Sequence, residues 1–167
     1  PRSTLFPYTT LFRSHAIECR LYAEDPSKNF LPSPGKISKL KIPNVGLTNI
    51  RLDIGVDEGD EISFYYDPMI AKIISKGSNR TESINNMVQY LKEFEIEGIN
   101  TNKSFLISVL QNKTFEEANF NTKFIENNLA SFIKKKEDIL PIKKQDAAKS
   151  KQEYSDKDVK AFEKIIA

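Results

Sequence analysis

The chain has 167 residues, 39% of them hydrophobic, with 25 basic and 23 acidic side chains and a formal net charge of +2. That length is typical of one domain, and the nearly balanced charge does not indicate a nucleic-acid or membrane partner. The single cysteine, Cys19, excludes an internal disulfide and fits a reducing compartment. No apolar run approaches the roughly 18 residues that span a bilayer, so we expect no membrane-embedded segment.

Residues 1–14 are predicted to be an artefact rather than native protein. Residues 4–14 are a permitted translation of a common sequencing adapter. The alternatives are a natural, mildly hydrophobic arm and a secretory signal, but Pro7 and the polar residues after it interrupt the apolar stretch that a signal requires. We therefore expect the native sequence to start at His15, with part of the protein missing upstream.

Apolar and polar residues alternate from His15 to Tyr22, which predicts a strand with one buried face. The same period, bounded by turn residues, predicts further strands over residues 36–42, 49–56, 61–65 and 69–75. The last of these is β-branched and largely apolar, which favours a central position in a sheet.

The apolar spacing becomes helical after Ser78, which is a candidate N-cap for a helix over residues 80–95 that stops near Gly98. Further helices are predicted over residues 101–110, with Thr101 as the cap, and over residues 122–129. Strands followed by helices predict an α+β fold, in which an antiparallel sheet is covered on one face by two or three helices.

Residues 130–167 are rich in Lys and hold few apolar side chains. Such a segment cannot bury enough surface to offset its ordering entropy, so we interpret it as a charged linker and the start of a following region. A nucleic-acid-binding arm is the alternative, but the segment lacks interleaved aromatic residues that would stack on bases.

Candidate chemical residues are few. His15 is the only histidine and Cys19 the only cysteine, and no second pair completes a metal site. We therefore expect Cys19 to pack in the core. Arg20 alternates with the buried positions of its strand and is predicted to project from the opposite face, where an arginine is ordinarily solvated or ion-paired.

Several ordered blocks of the sequence resemble the C-terminal domain of biotin carboxylase. They are His15-Ala16-Ile17-Glu18-Cys19-Arg20, Ala23-Glu24-Asp25-Pro26, Asn29-Phe30-Leu31-Pro32-Ser33-Pro34-Gly35-Lys36-Ile37, Tyr66-Asp67-Pro68-Met69-Ile70-Ala71-Lys72, Gly98-Ile99-Asn100-Thr101-Asn102 and Asn121-Thr122-Lys123-Phe124-Ile125. The resemblance implies that residues 15–129 form this domain and that residues 130–167 follow it.

The resemblance also implies an activity, the ATP- and bicarbonate-dependent carboxylation of carrier-bound biotin. Arg20 matches the family arginine that points into the active site beside the ureido oxygen of biotin, which implies a catalytic role. The family holds ATP and Mg²⁺ in an ATP-grasp domain upstream of this one. We therefore expect this chain alone to bind no cofactor and to be inactive.

The sequences of these blocks are most similar to those of the α subunits of propionyl-CoA and methylcrotonyl-CoA carboxylases. This implies three further partners: a biotin carboxyl carrier domain, a carboxyltransferase subunit and a second copy of the chain. Arg51 matches an arginine at the family's dimer interface, whereas Asp67 and Lys72 match motif positions with structural roles. The implied compartment is the cytoplasm of a bacterium or the mitochondrial matrix of a eukaryote.

One rival function belongs to another class. A non-catalytic dimerisation module would retain this fold without the enzyme, and the presence or absence of an ATP-grasp domain before His15 discriminates the two.

Overall fold

The computed structural model describes residues 14–43 and 49–133. The described residues form nine strands: β1 (His15–Tyr22), β2 (Glu24–Asp25), β3 (Leu31–Pro32), β4 (Gly35–Lys36), β5 (Lys39–Lys41), β6 (Ile50–Ile54), β7 (Glu61–Ile62), β8 (Met69–Gly77) and β9 (Glu95–Glu97). The helices are α1 (Arg80–Glu93), α2 (Lys103–Leu110), α3 (Lys113–Glu116) and α4 (Phe124–Phe132). Residues 130–132 of the linker predicted over residues 130–167 belong to α4, where Phe132 is buried. The rest of that linker beyond residue 133, and residues 1–13 of the predicted artefact segment 1–14, lie outside the described residues and remain predictions.

The largest sheet has three antiparallel strands in the order β1-β8-β6. Ile73 of β8 lies opposite Cys19 of β1 on one side and opposite Leu52 of β6 on the other. The β-branched segment after Met69 is therefore central, as the sequence predicted, and its β-branched side chains pack well on the pleated surface.

Helix α1 covers one face of this sheet and closes the core. Met87 and Leu91 of α1 are fully buried, as are Leu21 of β1 and Ile73 of β8. Fully burying each of these side chains is worth about 1.5–3 kcal/mol, so this layer holds most of the apolar stabilisation. The predicted α+β fold, with an antiparallel sheet covered on one face, is confirmed.

Two predicted strands are shorter or broken in the structure. The strand predicted over residues 36–42 is interrupted at Ile37, whose N–H donates to Asp60 O at 2.8 Å and whose carbonyl accepts from Gly59 N at 2.9 Å. The bond to Asp60 keeps the register of β4 with β7, but the Asp60 N–H turns to Asp57 O and Gly59 donates to Ile37 in its place, so the ladder ends there. Ile37 is fully buried. The strand predicted over residues 61–65 ends at Ile62, because the chain bends away at Phe64.

The helix boundaries also differ from the predictions. Asn79 caps α1 by accepting from Glu82 N at 2.9 Å, whereas Ser78 donates to the Glu82 carboxylate. The helix ends at Glu93, and the residues after it form β9, which pairs with β5. No sequence pattern predicted β9, because three residues between a helix and a glycine are too few to show a period.

The last two helices close a second, aromatic cluster. Phe124 and Phe132 of α4 are buried there, and Phe105 of α2 and Phe115 of the unpredicted helix α3 pack against them. Helix α4 begins at Phe124, two residues after the predicted start. Among the described residues, no helix is long and apolar enough to cross a membrane.

Candidate functional site

The face of the central sheet opposite α1 carries charged side chains in two cross-strand rows. Arg20, Lys72 and Asp53 form one row across β1, β8 and β6. Glu18 and Arg51 end the neighbouring row, with Ile74 between them. Because directly opposite residues project from the same face of an antiparallel sheet, these charges share one surface. We call Glu18, Arg20, Arg51, Asp53 and Lys72 the charged sheet face.

Arg20 is exposed on this surface, and a hydrogen bond fixes the orientation of its guanidinium. Its Nε donates to Glu18 Oε1 at 3.0 Å, while 60% of its side chain remains accessible to solvent. The hydrogen bond to Glu18, followed by one to the Tyr22 side chain, raises the pKa of Arg20 above its already high value. The result is a permanent cation with fixed direction, which suits a group that must meet a developing negative charge.

Arg51 forms a second ion pair at the other edge of the sheet. Its Nε donates to Asp53 Oδ1 at 3.0 Å, and Lys72 Nζ lies 3.3 Å from Asp53 Oδ2. The bond from Arg51 is the main cause that lowers the pKa of Asp53 below its usual range. Lys72 thus lies directly opposite both Arg20 and Asp53, and Asp53 is shared between the cations of Lys72 and Arg51.

The loop 63–68 lies beside the Tyr22 end of β1. Asp67 closes it by accepting from Met69 N at 2.9 Å, and Pro68 O accepts from Ala23 N at 2.9 Å. Its Tyr65 is 90% exposed. Burial and, after it, the charge of Asp67 raise the pKa of Glu24 at the base of this loop.

His15 and Cys19 each have another role among the described residues. Among the residues that the structure describes, no group of three His, Cys, Asp or Glu side chains could hold a metal ion. Cys19 is buried, as expected, and burial raises the pKa of its thiol to about 12. His15 instead meets a guanidinium, with its Nε2 3.1 Å from Nη1 of Arg80.

The sequence profile of the biotin carboxylase C-terminal domain family matches residues 18–127, well over half of the chain. This chain belongs to that family. Biotin carboxylase 1 of Bacillus subtilis is 50% identical to it over 115 residues, which are 69% of this chain and 25% of that protein. The mitochondrial propionyl-CoA carboxylase alpha chain of Sus scrofa is 45% identical over 113 residues, which are 67% of this chain and 15% of that protein. The chain therefore spans a quarter or less of the length of these curated relatives.

Solved structures of the family agree with the fold. The biotin carboxylase domain of Hydrogenobacter thermophilus 2-oxoglutarate carboxylase, solved as a dimer with MgADP and bicarbonate, superposes with a TM-score of 0.68 at 35% identity. The match covers 72% of this chain and 26% of that one. The biotin carboxylase subunit of a pyruvate carboxylase gives a TM-score of 0.68 at 38% identity, covering 72% of this chain and 26% of that one.

Within this biotin carboxylase C-terminal domain, the structure brings the two predicted site residues onto one surface. Arg20 and Arg51 lie on opposite edge strands of the same sheet, in adjacent rows, with β8 between them. Sequence alternation predicted that Arg20 projects away from the core, but it assigned no role to Glu18. It also assigned no role to Asn102, whose buried side chain bonds the backbone of β1 at Arg20. Only the three-dimensional register reveals these two contacts.

Proposed function

We propose that this domain supplies Arg20 to the ATP- and bicarbonate-dependent carboxylation of carrier-bound biotin, within the biotin-carboxylating subunit of an acyl-CoA carboxylase. The observation that carries the proposal is the Arg20 guanidinium, which is exposed on a sheet face, permanently charged and oriented by Glu18. Family membership supports the same reaction class.

The chemistry explains why a guanidinium is needed. In such a reaction ATP phosphorylates bicarbonate, and the carboxyphosphate that forms decays to carbon dioxide and phosphate. A base takes the proton from the ring nitrogen of biotin, which places negative charge on the ureido oxygen, and the nitrogen then attacks carbon dioxide. Arg20 offers N–H donors in a fixed fork to that oxygen, and the hydrogen bond to Glu18 on the same face holds the guanidinium in one orientation. Removing one preorganised donor of this kind typically slows a reaction by about 10²–10³.

The test is the rate of biotin carboxylation by the intact subunit, in which this domain is joined to the ATP-grasp part of the enzyme. We expect Arg20→Ala to lower kcat by about 10²–10³, with little change in the unfolding transition because Arg20 is a surface side chain. Lys92→Ala, an exposed cation on α1, is the matched control and should retain the full rate. A folded Arg20→Ala subunit with the control's rate would overturn the proposal.

ATP and Mg²⁺ belong, in this proposal, to the ATP-grasp domain and not to residues of this chain. We therefore expect the isolated chain to show no biotin-dependent ATP turnover. The carrier domain that presents biotin and the carboxyltransferase subunit that selects the acyl-CoA are the further partners of the assembly, and cytoplasm or mitochondrial matrix is its compartment.

Arg51 is proposed at the interface of a homodimer. Its side chain is 71% exposed and lies on an edge strand, so a second copy could approach it without disturbing the core. Reversing the charge with Arg51→Glu should weaken self-association of the intact subunit, measured by sedimentation velocity. Lys92→Glu, on the helical side, should leave the association constant unchanged, and equal effects of the two would contradict this placement.

The alternative of a non-catalytic dimerisation module keeps the Arg51 contact and discards the Arg20 chemistry. That module predicts concentration-dependent dimers and no effect of Arg20→Ala on any reaction. Loss of carboxylation in Arg20→Ala at an unchanged sedimentation coefficient would reject it.

A further inference from the structure

Strand β1 is an edge strand of the sheet that the described residues form, so its outer backbone groups need partners that no neighbouring strand supplies. At Arg20 and Tyr22 these partners come from one residue, Asn102. Its Oδ1 accepts from Tyr22 N at 3.0 Å, its Nδ2 donates to Arg20 O at 3.3 Å, and its own N–H donates to Tyr22 O at 3.2 Å. Asn102 thus takes the place of a neighbouring strand at this part of the outer edge of β1.

The use of this side chain is unusual for its position. Asn102 is the N-cap residue of α2, where an asparagine ordinarily accepts a hydrogen bond from the first turn of its own helix. Here it makes no capping bond and is turned towards β1 instead, with 5% of its surface exposed. Helix α2 is anchored by other contacts, since Lys103 Nζ donates to Phe94 O at 2.7 Å. The Asn102 carboxamide is therefore devoted to β1.

The hydrogen bonds from Asn102 to β1 affect the position of the Arg20 guanidinium. The Cα of Arg20 sets the starting point of a long side chain, and Glu18 and Tyr22 orient its end from the same strand. A shift of the strand edge at Arg20 and Tyr22 would displace both the guanidinium and the side chain of Tyr22 that helps to orient it. Small displacements of this kind matter because a misplacement of roughly 1 Å can cost about 10² in rate.

We infer that Asn102 is the positioning residue for Arg20: its carboxamide locks the outer edge of β1 so that the guanidinium meets the reacting ureido group at a fixed place. This inference rests on the proposed function of Arg20. It extends the site from the exposed face of the sheet to a buried amide at the outer edge of β1.

The test is a double-mutant cycle on the intact subunit, with kcat for biotin carboxylation as the readout. Asn102→Ala should lower kcat roughly tenfold to hundredfold, with the KM for ATP unchanged. In the Arg20→Ala background the same substitution should have almost no further effect, because there is no guanidinium left to position. Asn102→Asp keeps the acceptor for Tyr22 N–H and removes the donor to Arg20 O, so it carries the test if the alanine variant does not fold.

A stability control separates positioning from general weakening. Ser75 is fully buried and donates to Ser83 O at 2.9 Å, far from the arginine's face of the sheet. Ser75→Ala should lower the unfolding temperature as Asn102→Ala does, yet leave kcat near that of the wild type.

The outcomes are distinguishable. A loss of kcat that disappears in the Arg20→Ala background supports the inference. An equal loss in both backgrounds, or an equal loss in Ser75→Ala, overturns it while leaving the role of Arg20 intact. If Arg20→Ala itself carboxylates biotin at the wild-type rate, the proposed function fails and the positioning role fails with it.

Discussion

The guanidinium of Arg80 lies over the ring of Phe115, 4.6 Å from its centroid, and donates through Nη2 to the backbone oxygen of the same residue at 2.7 Å. Its Nη1 also lies 3.1 Å from His15 Nε2 at the start of β1. One side chain in the first turn of α1 therefore connects the central sheet to α3.

We therefore expect Arg80 to stabilise the aromatic cluster that contains Phe115. Arg80→Ala should reduce the free energy of unfolding by about 1–3 kcal/mol, because the Phe115 carbonyl loses a charged donor and the Phe115 ring loses the cation above it. Arg80→Lys should recover only part of this, since an ammonium lacks the planar fork. Chemical denaturation measures the loss, and a lysine variant as stable as the wild type would show that the stacking contributes nothing.

Gly98 is predicted to be intolerant of any side chain. Its φ is +101°, and an added Cβ would lie 2.1 Å from Lys36 O. Gly98→Ala should therefore destabilise the chain by at least about 1–3 kcal/mol, through backbone strain and separation of β5 from β9. Gly55→Ala is the matched control, because nothing lies within 4 Å of its added Cβ. Similar unfolding midpoints for the two variants would refute the close approach.

The β5–β9 pair is predicted to weaken at both extremes of pH. Hydrogen bonds from Lys39 and Lys41 lower the pKa of Glu95 from 4.5 to about 2. The stabilisation from this carboxylate is therefore complete above pH 4.5 and is lost as the pH falls towards 2. The Glu95 carboxylate in turn raises the pKa of Lys39 above 10.5, so that contribution is complete below 10.5 and lost at higher pH.

Glu95→Gln is the variant that checks this pH dependence. The unfolding midpoint of this variant should fall less than that of the wild type between pH 5 and about 2, because the variant has no carboxylate at position 95 to protonate. Added salt should reduce the difference between variant and wild type, since the pair is exposed. Identical pH profiles at low salt would contradict the assigned ion pairs.

Cys19 is predicted to be inert in the native state. Its thiol is buried with a pKa raised to about 12, so the reactive thiolate is scarce at neutral pH. A thiol reagent at pH 8 should modify it only at the rate of unfolding. Rapid stoichiometric modification of the folded chain would show that the Cys19 thiol is accessible to solvent in the native state.

Sequence patterns predicted the parts of the fold that have a clear period. The alternation from His15 to Tyr22 identified β1, and the outward direction of Arg20 followed from it. Strand β9 was missed because it exists only through pairing with Lys39–Lys41, a contact made across more than 50 residues of chain. The same limit applies to the candidate site. The alignment of Arg20 with Lys72 and Asp53 is a matter of strand register, and the contact of Asn102 depends on where α2 begins.

In the proposed function, the guanidinium of Arg20 acts directly on biotin. The most direct test of this action is chemical rescue, in which the intact Arg20→Ala subunit is assayed for biotin carboxylation with increasing, non-denaturing guanidinium chloride. We expect a rate about 10²–10³ below wild type that rises with guanidinium and saturates, while potassium chloride at equal ionic strength has no such effect. A folded Arg20→Ala subunit that carboxylates biotin at the wild-type rate without any guanidinium would contradict it.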